Sequence, residues 1–208
     1  MTFEIRPIDP STMASAFDLA TEVFVQGSTL HRALGIGLED YRDYLREPFA
    51  AMIREGLSVA AMDPERGTLM GCLIAGDFFS EPDPPPSPAS QFAPLQALTE
   101  ALAQAYRQHR RFGSGEVLLV DMGAVTAAAA GRGVYQAMRK TVEDMARAKG
   151  FRWVVGELSN AATQHVVLNR LGHRAIVEQS FARFTTGKAH PFRSITEPPS
   201  IILAEGAL

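Results

Sequence analysis

Residues Val117 to Val125 read Val-Leu-Leu-Val-Asp-Met-Gly-Ala-Val, an apolar run long enough for a buried strand. A turn of small residues follows, from Thr126 to Ala130, and then Gly131-Arg132-Gly133. Behind the glycines, apolar residues recur every three or four positions from Val134 to Ala148, which predicts a helix with one side in a core. A strand, a glycine turn and a helix N-terminus together point free backbone N–H groups at an anion, most naturally a phosphate.

This pattern alone occurs in several classes of nucleotide site and also in plain structural turns. A dinucleotide-binding fingerprint needs a third glycine where this chain has Gln136, and a Walker loop needs a Gly-Lys-Ser/Thr sequence that is missing. Further along, Phe151 to Glu157 predicts a second apolar strand. A helix is predicted over Ala161 to Leu171, where Asn160 can cap its start and Gly172 can end it.

Three segments, residues 125–134, 146–150 and 160–173, resemble the GNAT superfamily of acetyl-CoA-dependent N-acyltransferases. The resemblance implies one N-acetyltransferase domain over residues 1–208. Its fold class is α+β (mixed α/β), with a twisted, mainly antiparallel sheet of six to seven strands and helices on both faces. It also implies that the glycine turn holds the pyrophosphate of coenzyme A while two strands splay apart to admit the pantetheine arm.

The positions that the resemblance assigns to acetyl-CoA lie on the first strand, the glycine turn and the two helix starts. They are Met122, Gly123, Ala124, Val125, Ala130, Gly131, Arg132, Gly133, Val134, Tyr135, Asn160 and Thr163. A backbone N–H of Met122 or Gly123 is expected to stabilise the tetrahedral oxyanion. Three positions depart from the family pattern. Ala130 replaces an Arg or Gln that braces the turn, Tyr135 replaces a Gly or Ala, and Leu168 replaces the general-acid tyrosine.

The segment from Phe24 to Leu30 loosely resembles the Phe-Phe-x-x-Glu-Pro-Leu segment of insect arylalkylamine acyltransferases, within the same superfamily. Ser28 stands where that branch has a glutamate thought to act as base. The resemblance therefore places Phe24, Ser28 and His31 beside a pocket for a small-molecule primary amine. His31 is equally well explained as a packing residue.

The implied reaction is attack of a neutral amine on a thioester, and an amine of pKa about 10 first needs a base. Asp121 is the first candidate, because a carboxylate inside an apolar strand is costly to bury unless it is paired or raised in pKa. A spacing of four predicts that Asp121 and Val125 share one sheet face. A carboxylate bonded to nearby backbone N–H groups or an arginine explains Asp121 as well as a base does.

Two further residues are catalytic candidates. Glu157, at the end of the neighbouring strand, is the second candidate for the base, although a purely structural glutamate is the stronger interpretation there. His165 can donate a proton to the leaving thiolate, as can Thr163 on the same helix, although a lone histidine on a helix is more often a surface or packing residue.

The composition excludes several classes of partner. Lys and Arg number 20 against 23 Asp and Glu, a net charge of −3, which disfavours a nucleic-acid binder. The single cysteine, the absence of a secretory h-region and the absence of an apolar run of membrane length lead us to expect a cytoplasmic protein with no membrane partner. No His, Cys or Glu spacing predicts a metal site. A homodimer stays an open alternative.

The N-terminal half predicts a strand from Phe3 to Ile8 and a helix that Ser11 or Thr12 caps. A second helix is predicted over Leu38 to Glu55, where Pro48 should kink or split it. A hairpin follows between Leu57 and Phe78, turning at residues 63–67.

Residues 80–91 are proline-rich, and a solvated polyproline-like loop is slightly favoured there over a lid on the acceptor site. After them we expect a helix from Phe92 to His109, and later strands over Arg174 to Thr185 and Ser200 to Ala204.

The predicted function is transfer of an acetyl or short acyl group from acetyl-CoA to a primary amine, by direct attack in a ternary complex. The alternative is an acyl-CoA-binding module without turnover, because the bracing residue and the family's acid are replaced. A dinucleotide-dependent oxidoreductase is disfavoured by Gln136 and by the single strand–turn–helix unit.

Overall fold

A computed structural model describes residues 2–80 and 90–208 of the chain, in which seven strands form one sheet in the order β1-β2-β3-β4-β5-β7-β6. The strands are β1 (Glu4–Pro7), β2 (Val59–Asp63), β3 (Thr68–Asp77), β4 (Val117–Val125), β5 (Trp153–Leu158), β6 (Arg174–Ser180) and β7 (Ser200–Ala207). The helices are α1 (Met13–Gly27), α2 (Thr29–Leu34), α3 (Leu38–Arg54), α4 (Ala93–His109), α5 (Val134–Ala148) and α6 (Ala161–Gln164). Short 3₁₀ turns lie at Ser90–Phe92 and Ala127–Ala129. Of the predicted proline-rich loop, residues 81–89 lie outside the described part.

All neighbouring strands are antiparallel except one pair, β4 and β5, which run parallel. Their pairing covers only Val117–Leu119 against Trp153–Val155, so the two strands separate beyond Leu119. The expected architecture, a mainly antiparallel sheet of six to seven strands with helices on both faces, is confirmed. The separation of β4 and β5 is the feature that positions the candidate site.

The two faces of the sheet carry different helices because strand side chains alternate in direction. On β2 and β3, Val59, Leu73 and Ala75 belong to the core cluster under α5. Their sequence neighbours Ala60 and Ile74 belong to the cluster under α1 and α3. Helix α4 packs on that second face as well, whereas α6 packs on the α5 face.

A β-bulge interrupts β4 at Asp121. The register with β3 passes from Ile74↔Met122 to Ala75↔Val120, so Asp121 has no residue opposite it. The expectation that Asp121 and Val125 share a face is therefore wrong. Val125 packs against the α5 cluster, whereas Asp121 raises the pKa of tyrosines on α3, on the other face.

Helix ends follow the sequence at some places and not at others. Asn160 caps α6 as predicted, its Oδ1 accepting the N–H of Ala162 at 2.8 Å. Thr12 occupies the cap position of α1 without a side-chain capping bond. Instead the Asp9 carboxylate accepts the N–H groups of Ser11 and Thr12, at 2.9 and 3.1 Å.

Three predicted elements differ from the structure. Helix α3 runs through Pro48 without the predicted split, because a missing backbone N–H costs one hydrogen bond while Leu45 and Phe49 stay buried on either side. Helix α6 continues from Gln164 as a π-helical turn, His165–Arg170, rather than as a regular helix to Leu171. Strand β6 ends at Ser180, before the predicted end at Thr185, because the chain turns there into the buried Phe181.

Within residues 2–80 and 90–208, none of the helices combines the length and the apolar character that crossing a membrane requires.

Candidate active site

A cavity of about 220 Å³ opens where β4 and β5 separate. Its wall comes from α1, the two strand ends, α5 and α6, so it reaches elements on both faces of the sheet. The lining residues are Val23, Phe24, Gly27, Ser28, Val120, Asp121, Gly123, Tyr135, Arg139, Gly156, Glu157, Leu158, Ser159, Asn160 and Thr163. Such a passage through a sheet leaves backbone groups of both strands free for a ligand.

Two carboxylates, Asp121 and Glu157, stand on these separating strands and line the same cavity. Burial raises the pKa of Asp121 from 3.8 to about 6. Burial, together with the charges of Asp121 and Glu100, raises the pKa of Glu157 from 4.5 to about 8. Water reaches the Asp121 side chain through the cavity, whereas Glu157 is only partly exposed. Glu157 is therefore the more deeply buried of the two carboxyl groups.

The unequal surroundings give the two groups different protonation states at neutral pH. With a pKa of about 6 the Asp121 carboxylate is mostly ionised, and with a pKa of about 8 Glu157 keeps its proton. A pair of carboxyl groups whose pKa values are pushed apart is the arrangement that separates a base from an acid. The pair titrates as a coupled system because the Asp121 charge contributes to the Glu157 shift.

Aromatic side chains of α3 stand on the same side of the sheet as Asp121. Burial, and in smaller part the Asp121 charge, raises the pKa of Tyr41 and of Tyr44, so both phenols are neutral. Tyr44 stacks on Phe92 with ring centroids 4.3 Å apart. No ion pair offsets the burial of the Asp121 carboxylate in the described part of the chain, which accounts for its raised pKa.

The glycine turn before α5 has the geometry of an anion site. Gly131 and Gly133 have φ angles of 73° and 78°, in the left-handed region that favours glycine. The N-cap residue of α5 is Gly133, which makes no side-chain capping bond, and residues 130–133 are exposed. The first N–H groups of a helix lack intrahelical partners, so these amides and the helix dipole fit a pyrophosphate.

Tyr135 lies between this turn and the separating strands. Its ring packs so closely on Gly123 that a β-carbon there would lie 2.6 Å from Cε2. Gly123 in turn is part of the cavity wall. Tyr135 therefore narrows the space between the turn and the cavity.

Arg139 follows one helical turn later and is 2% exposed. Its Nε donates to Glu143 Oε1 at 2.6 Å. Its Nη2 is buried without a hydrogen-bond partner in the described part of the chain. A buried cation with an unused donor in a cavity wall was not anticipated from the sequence.

The structure gathers eight of the predicted site residues in the cavity wall. They are Phe24, Ser28, Asp121, Gly123, Tyr135, Glu157, Asn160 and Thr163. Four others, Met122, Ala124, Val125 and Val134, are buried or partly buried in the cores beside β4 and α5. The remaining turn residues, Ala130, Gly131, Arg132 and Gly133, lie at the exposed entrance.

The two predicted histidines lie outside the cavity lining. His31 is 4% exposed, and its ring meets Tyr41 edge-on at 4.4 Å. Burial lowers its pKa to about 4, so it is neutral. His165 is exposed at the start of the π-helical turn, with Nδ1 2.9 Å from Asn169 Nδ2. Among the described residues no cluster of three His, Cys, Asp or Glu side chains is placed to hold a metal ion.

The sequence interpretation missed Arg139 and the far end of β5. The missed lining residues are Val23, Gly27, Val120, Arg139, Gly156, Leu158 and Ser159. A signal for Arg139 exists in retrospect: Tyr135, Arg139 and Glu143 recur every four residues, beside the buried stripe of α5.

No protein-family model and no curated protein matches this sequence. Solved structures do match. Similar to this chain is the C-terminal condensation domain of Ebony in complex with β-alanyl-dopamine, with a TM-score of 0.90 and 17% identity over 100% of this chain and 99% of that one. Arylalkylamine N-acetyltransferase 2 from Aedes aegypti matches with a TM-score of 0.80 and 13% identity, over 100% and 99% of the two chains.

The mosquito protein arylalkylamine N-acetyltransferase-like 5b matches over 100% of both chains, with a TM-score of 0.78 and 16% identity. The protein therefore has the GNAT fold, as in the arylalkylamine N-acetyltransferases.

Proposed function

We propose that this protein transfers an acetyl or short acyl group from acetyl-CoA to a primary amine of a small molecule. One observation carries the proposal: two carboxyl groups, Asp121 and Glu157, line one cavity where β4 and β5 separate, and their surroundings raise the pKa of Glu157 to about 8 and that of Asp121 only to about 6. Direct attack in a ternary complex needs a base for the incoming amine and a proton for the departing thiolate. At neutral pH the Asp121 carboxylate would be the base, and the Glu157 carboxyl group would hold the proton.

Asp121 is the proposed base. A small-molecule ammonium entering the cavity meets its carboxylate, which removes the proton and leaves a neutral amine. Ser28 is not a competing base, because a neutral serine hydroxyl is too weakly basic to take a proton from an ammonium group. Its Oγ accepts the N–H of His31 at 3.3 Å at the start of α2. Phe24 and Ser28 on the cavity wall are the proposed contacts for the acceptor, with His31 supporting them from the interior.

Glu157 is the proposed acid. It holds a proton at neutral pH and lies in the wall that β5 contributes to the cavity. This role replaces the tyrosine that the family has at the position of Leu168, which here packs in the α6 cluster. Thr163 and His165 on α6 are the other candidates near that end of the cavity, and of the two only Thr163 lines it.

The residues that would hold coenzyme A are those of the turn and its flanks. The backbone amides of Gly131 and of residues 133–135 suit the pyrophosphate, because two left-handed glycines shape the turn and the N-cap residue, Gly133, has no side chain to occupy the first amides of the helix. The Arg132 amide already donates to the Ala129 carbonyl at 3.3 Å. The inner edge of β4, from Met122 to Val125, together with Asn160 and Thr163, is the proposed path for the arm. When bound, acetyl-CoA supplies the thioester, and a Met122 or Gly123 amide would stabilise the oxyanion.

The test is a thiol-release assay with acetyl-CoA over a panel of primary amines, run beside calorimetric titration of coenzyme A and acetyl-CoA. We expect micromolar-to-millimolar binding of acetyl-CoA and amine-dependent release of thiol. Binding without release for any amine would favour the alternative, a non-catalytic acyl-CoA-binding module. Absence of both binding and release would refute the proposal.

The similarity to the Ebony condensation domain favours a second candidate function. That similarity has a TM-score of 0.90 over the whole of this chain, and the molecule bound to the Ebony domain, β-alanyl-dopamine, is an amide. In that case the acyl group joined to the amine would be an aminoacyl group. Comparing β-alanyl-CoA with acetyl-CoA in the same assay separates the two. A rate with β-alanyl-CoA that exceeds the acetyl-CoA rate at least tenfold would favour condensation.

A further inference from the structure

Arg139 belongs to a polar stripe on α5 that points into the protein. Tyr135, Arg139 and Glu143 lie one turn apart, and Tyr135 and Arg139 both line the cavity. Four residues of helix span about 6 Å, so the stripe leads from the glycine turn towards the interior. A chain molecule anchored at the turn and lying along this face meets Tyr135 first and Arg139 next.

The protein itself leaves Arg139 incompletely satisfied. Glu143 Oε1 accepts its Nε–H at 2.6 Å and balances the positive charge. The side chain is only 2% exposed, so Nη2 is also shielded from water. Yet within residues 2–80 and 90–208 no acceptor pairs with Nη2. An unpaired buried donor on a charged group costs free energy that a bound acceptor recovers.

The charges of the cavity indicate which acceptor fits. Arg139 is already neutralised by Glu143, and the cavity also holds the Asp121 carboxylate. A further carboxylate would add an uncompensated negative charge beside the Arg139 side chain, which is only 2% exposed. A neutral carbonyl oxygen satisfies Nη2 without that cost.

We infer that Arg139 is a donor-binding residue whose Nη2–H group is accepted by a carbonyl oxygen of the acyl donor in the cavity between β4 and β5. The inference rests on the proposed function, because the acyl donor is its ligand. Two carbonyl sources share this chemistry: the thioester of the acyl group and the amides of the pantetheine arm. If the acceptor is an amide of the pantetheine arm, Arg139 contributes to the affinity for the donor. If the acceptor is the thioester carbonyl, Arg139 stabilises the oxyanion.

The experiment compares Arg139→Met, which keeps the length of the side chain but has no donor, with the wild-type protein. Lys140→Met is the matched control, because Lys140 makes the same type of i,i+4 ion pair, with Asp144 at 2.6 Å, on the exposed side of the helix. Arg139→Met/Glu143→Gln removes both charges, so binding is still measured if the single variant is unstable. Melting temperatures establish that each variant is folded.

Calorimetry with coenzyme A and with acetyl-CoA, together with kcat and KM, gives the result. We expect Arg139→Met and the double variant to weaken acetyl-CoA binding about tenfold to a hundredfold, or to lower kcat by that factor, with Lys140→Met unchanged. An equal loss for coenzyme A and acetyl-CoA identifies a carbonyl of the arm. A loss confined to acetyl-CoA, or to kcat, identifies the thioester carbonyl.

Unchanged binding and kcat in folded variants would overturn the inference and leave the proposed function standing. Wild-type preference for succinyl-CoA over butyryl-CoA that disappears in Arg139→Met would also overturn it, because the acceptor would then be a carboxylate. If the wild-type protein binds no acetyl-CoA, the proposed function fails and this inference fails with it.

Discussion

Replacing Glu157 by Gln should stabilise the protein at alkaline pH and leave its stability almost unchanged at acid pH. Glutamine has nearly the shape of protonated glutamic acid but carries no charge at any pH. Because the pKa of Glu157 is raised to about 8 in the folded protein, the wild-type chain must either keep its proton or ionise a buried group. Glu157→Gln has no proton to keep and no charge to bury at this position.

The direction follows from proton linkage. A carboxyl group with a folded pKa above its unfolded value binds more protons in the folded state, so stability falls as pH rises between the two values. Here that window extends from the usual 4.5 to about 8. Such a difference corresponds to about 5 kcal/mol in the limit of an isolated group, at about 1.4 kcal/mol for each pKa unit.

Two features of the site reduce that figure. The cavity admits some water, and part of the shift comes from Asp121, which is coupled to Glu157. We therefore expect Glu157→Gln to gain about 2–3 kcal/mol in free energy of unfolding relative to wild type between about pH 5 and about pH 9. For a domain of this size such a gain raises the melting temperature by about 5–10 °C.

Urea unfolding, followed by circular dichroism across that pH range, measures the difference. Glu39→Gln is the matched control, since Glu39 has an 83% exposed side chain near the start of α3. Its free energy of unfolding should follow the wild-type curve. If Glu157→Gln and wild type keep a constant difference at all pH values, Glu157 is not held protonated, and its assignment as the acid is lost.

Four further results are expected. Turnover should be bell-shaped in pH, rising as Asp121 ionises near its pKa of about 6 and falling as Glu157 ionises near about 8. Asp121→Asn should cut kcat by about 10²-fold or more while calorimetry finds acetyl-CoA affinity unchanged, and near-normal kcat would dismiss Asp121 as base. Gly123→Ala should cost about 1–3 kcal/mol in urea unfolding, because its β-carbon would lie 2.6 Å from Tyr135 Cε2, and adding Tyr135→Ala should recover part of it; equal losses in the single and double variants would contradict this. Arg110→Met should lower the free energy of unfolding by about 2 kcal/mol at neutral pH, since it removes the 2.8 Å partner of the 5% exposed Glu205, and by less in acid, where Glu205 gains a proton; a loss independent of pH would exclude the ion pair as its cause.

The parts of the fold that the sequence predicts are those fixed by local signals. The β4 strand, the glycine turn and α5 follow one another over residues 117–148, and each has its own pattern of apolar residues and glycines. The hairpin of β2 and β3 forms where the turn residues place it. The Asn160 cap is similarly local, because its hydrogen bond spans two residues.

The features that the sequence does not predict depend on distant partners. The bulge at Asp121 exists only in the register of β4 against β3, so alternation counted along β4 assigns the wrong face. On α5 the buried face runs through Val134, Met138, Val142 and Ala146. The spacing of the apolar residues alone predicts a face that shares Val134 and Met138 with it but continues through Ala137, Thr141, Met145 and Ala148. The burial of Arg139 depends on its ion pair with Glu143 and on its place in the cavity wall beside residues of β5 and α6, which composition alone does not reveal.

The division of roles between Asp121 and Glu157 follows from the opening of the sheet. A fully paired β4–β5 ladder would leave no cavity, and two like carboxylates on one face would repel without a ligand to separate them. Because the pairing of β4 and β5 ends at Leu119 and Val155, water reaches Asp121 at the bulge. Glu157 is less exposed, and the negative charges of Asp121 and Glu100 raise its pKa further. The group with better hydration loses its proton first, and its charge then holds the proton on the other. Removing the Asp121 charge should therefore lower the pKa of Glu157, so the alkaline limb of the pH profile in Asp121→Asn should move to lower pH. An alkaline limb that stays in place would show that burial alone, and not the pairing of the two carboxylates, keeps Glu157 protonated.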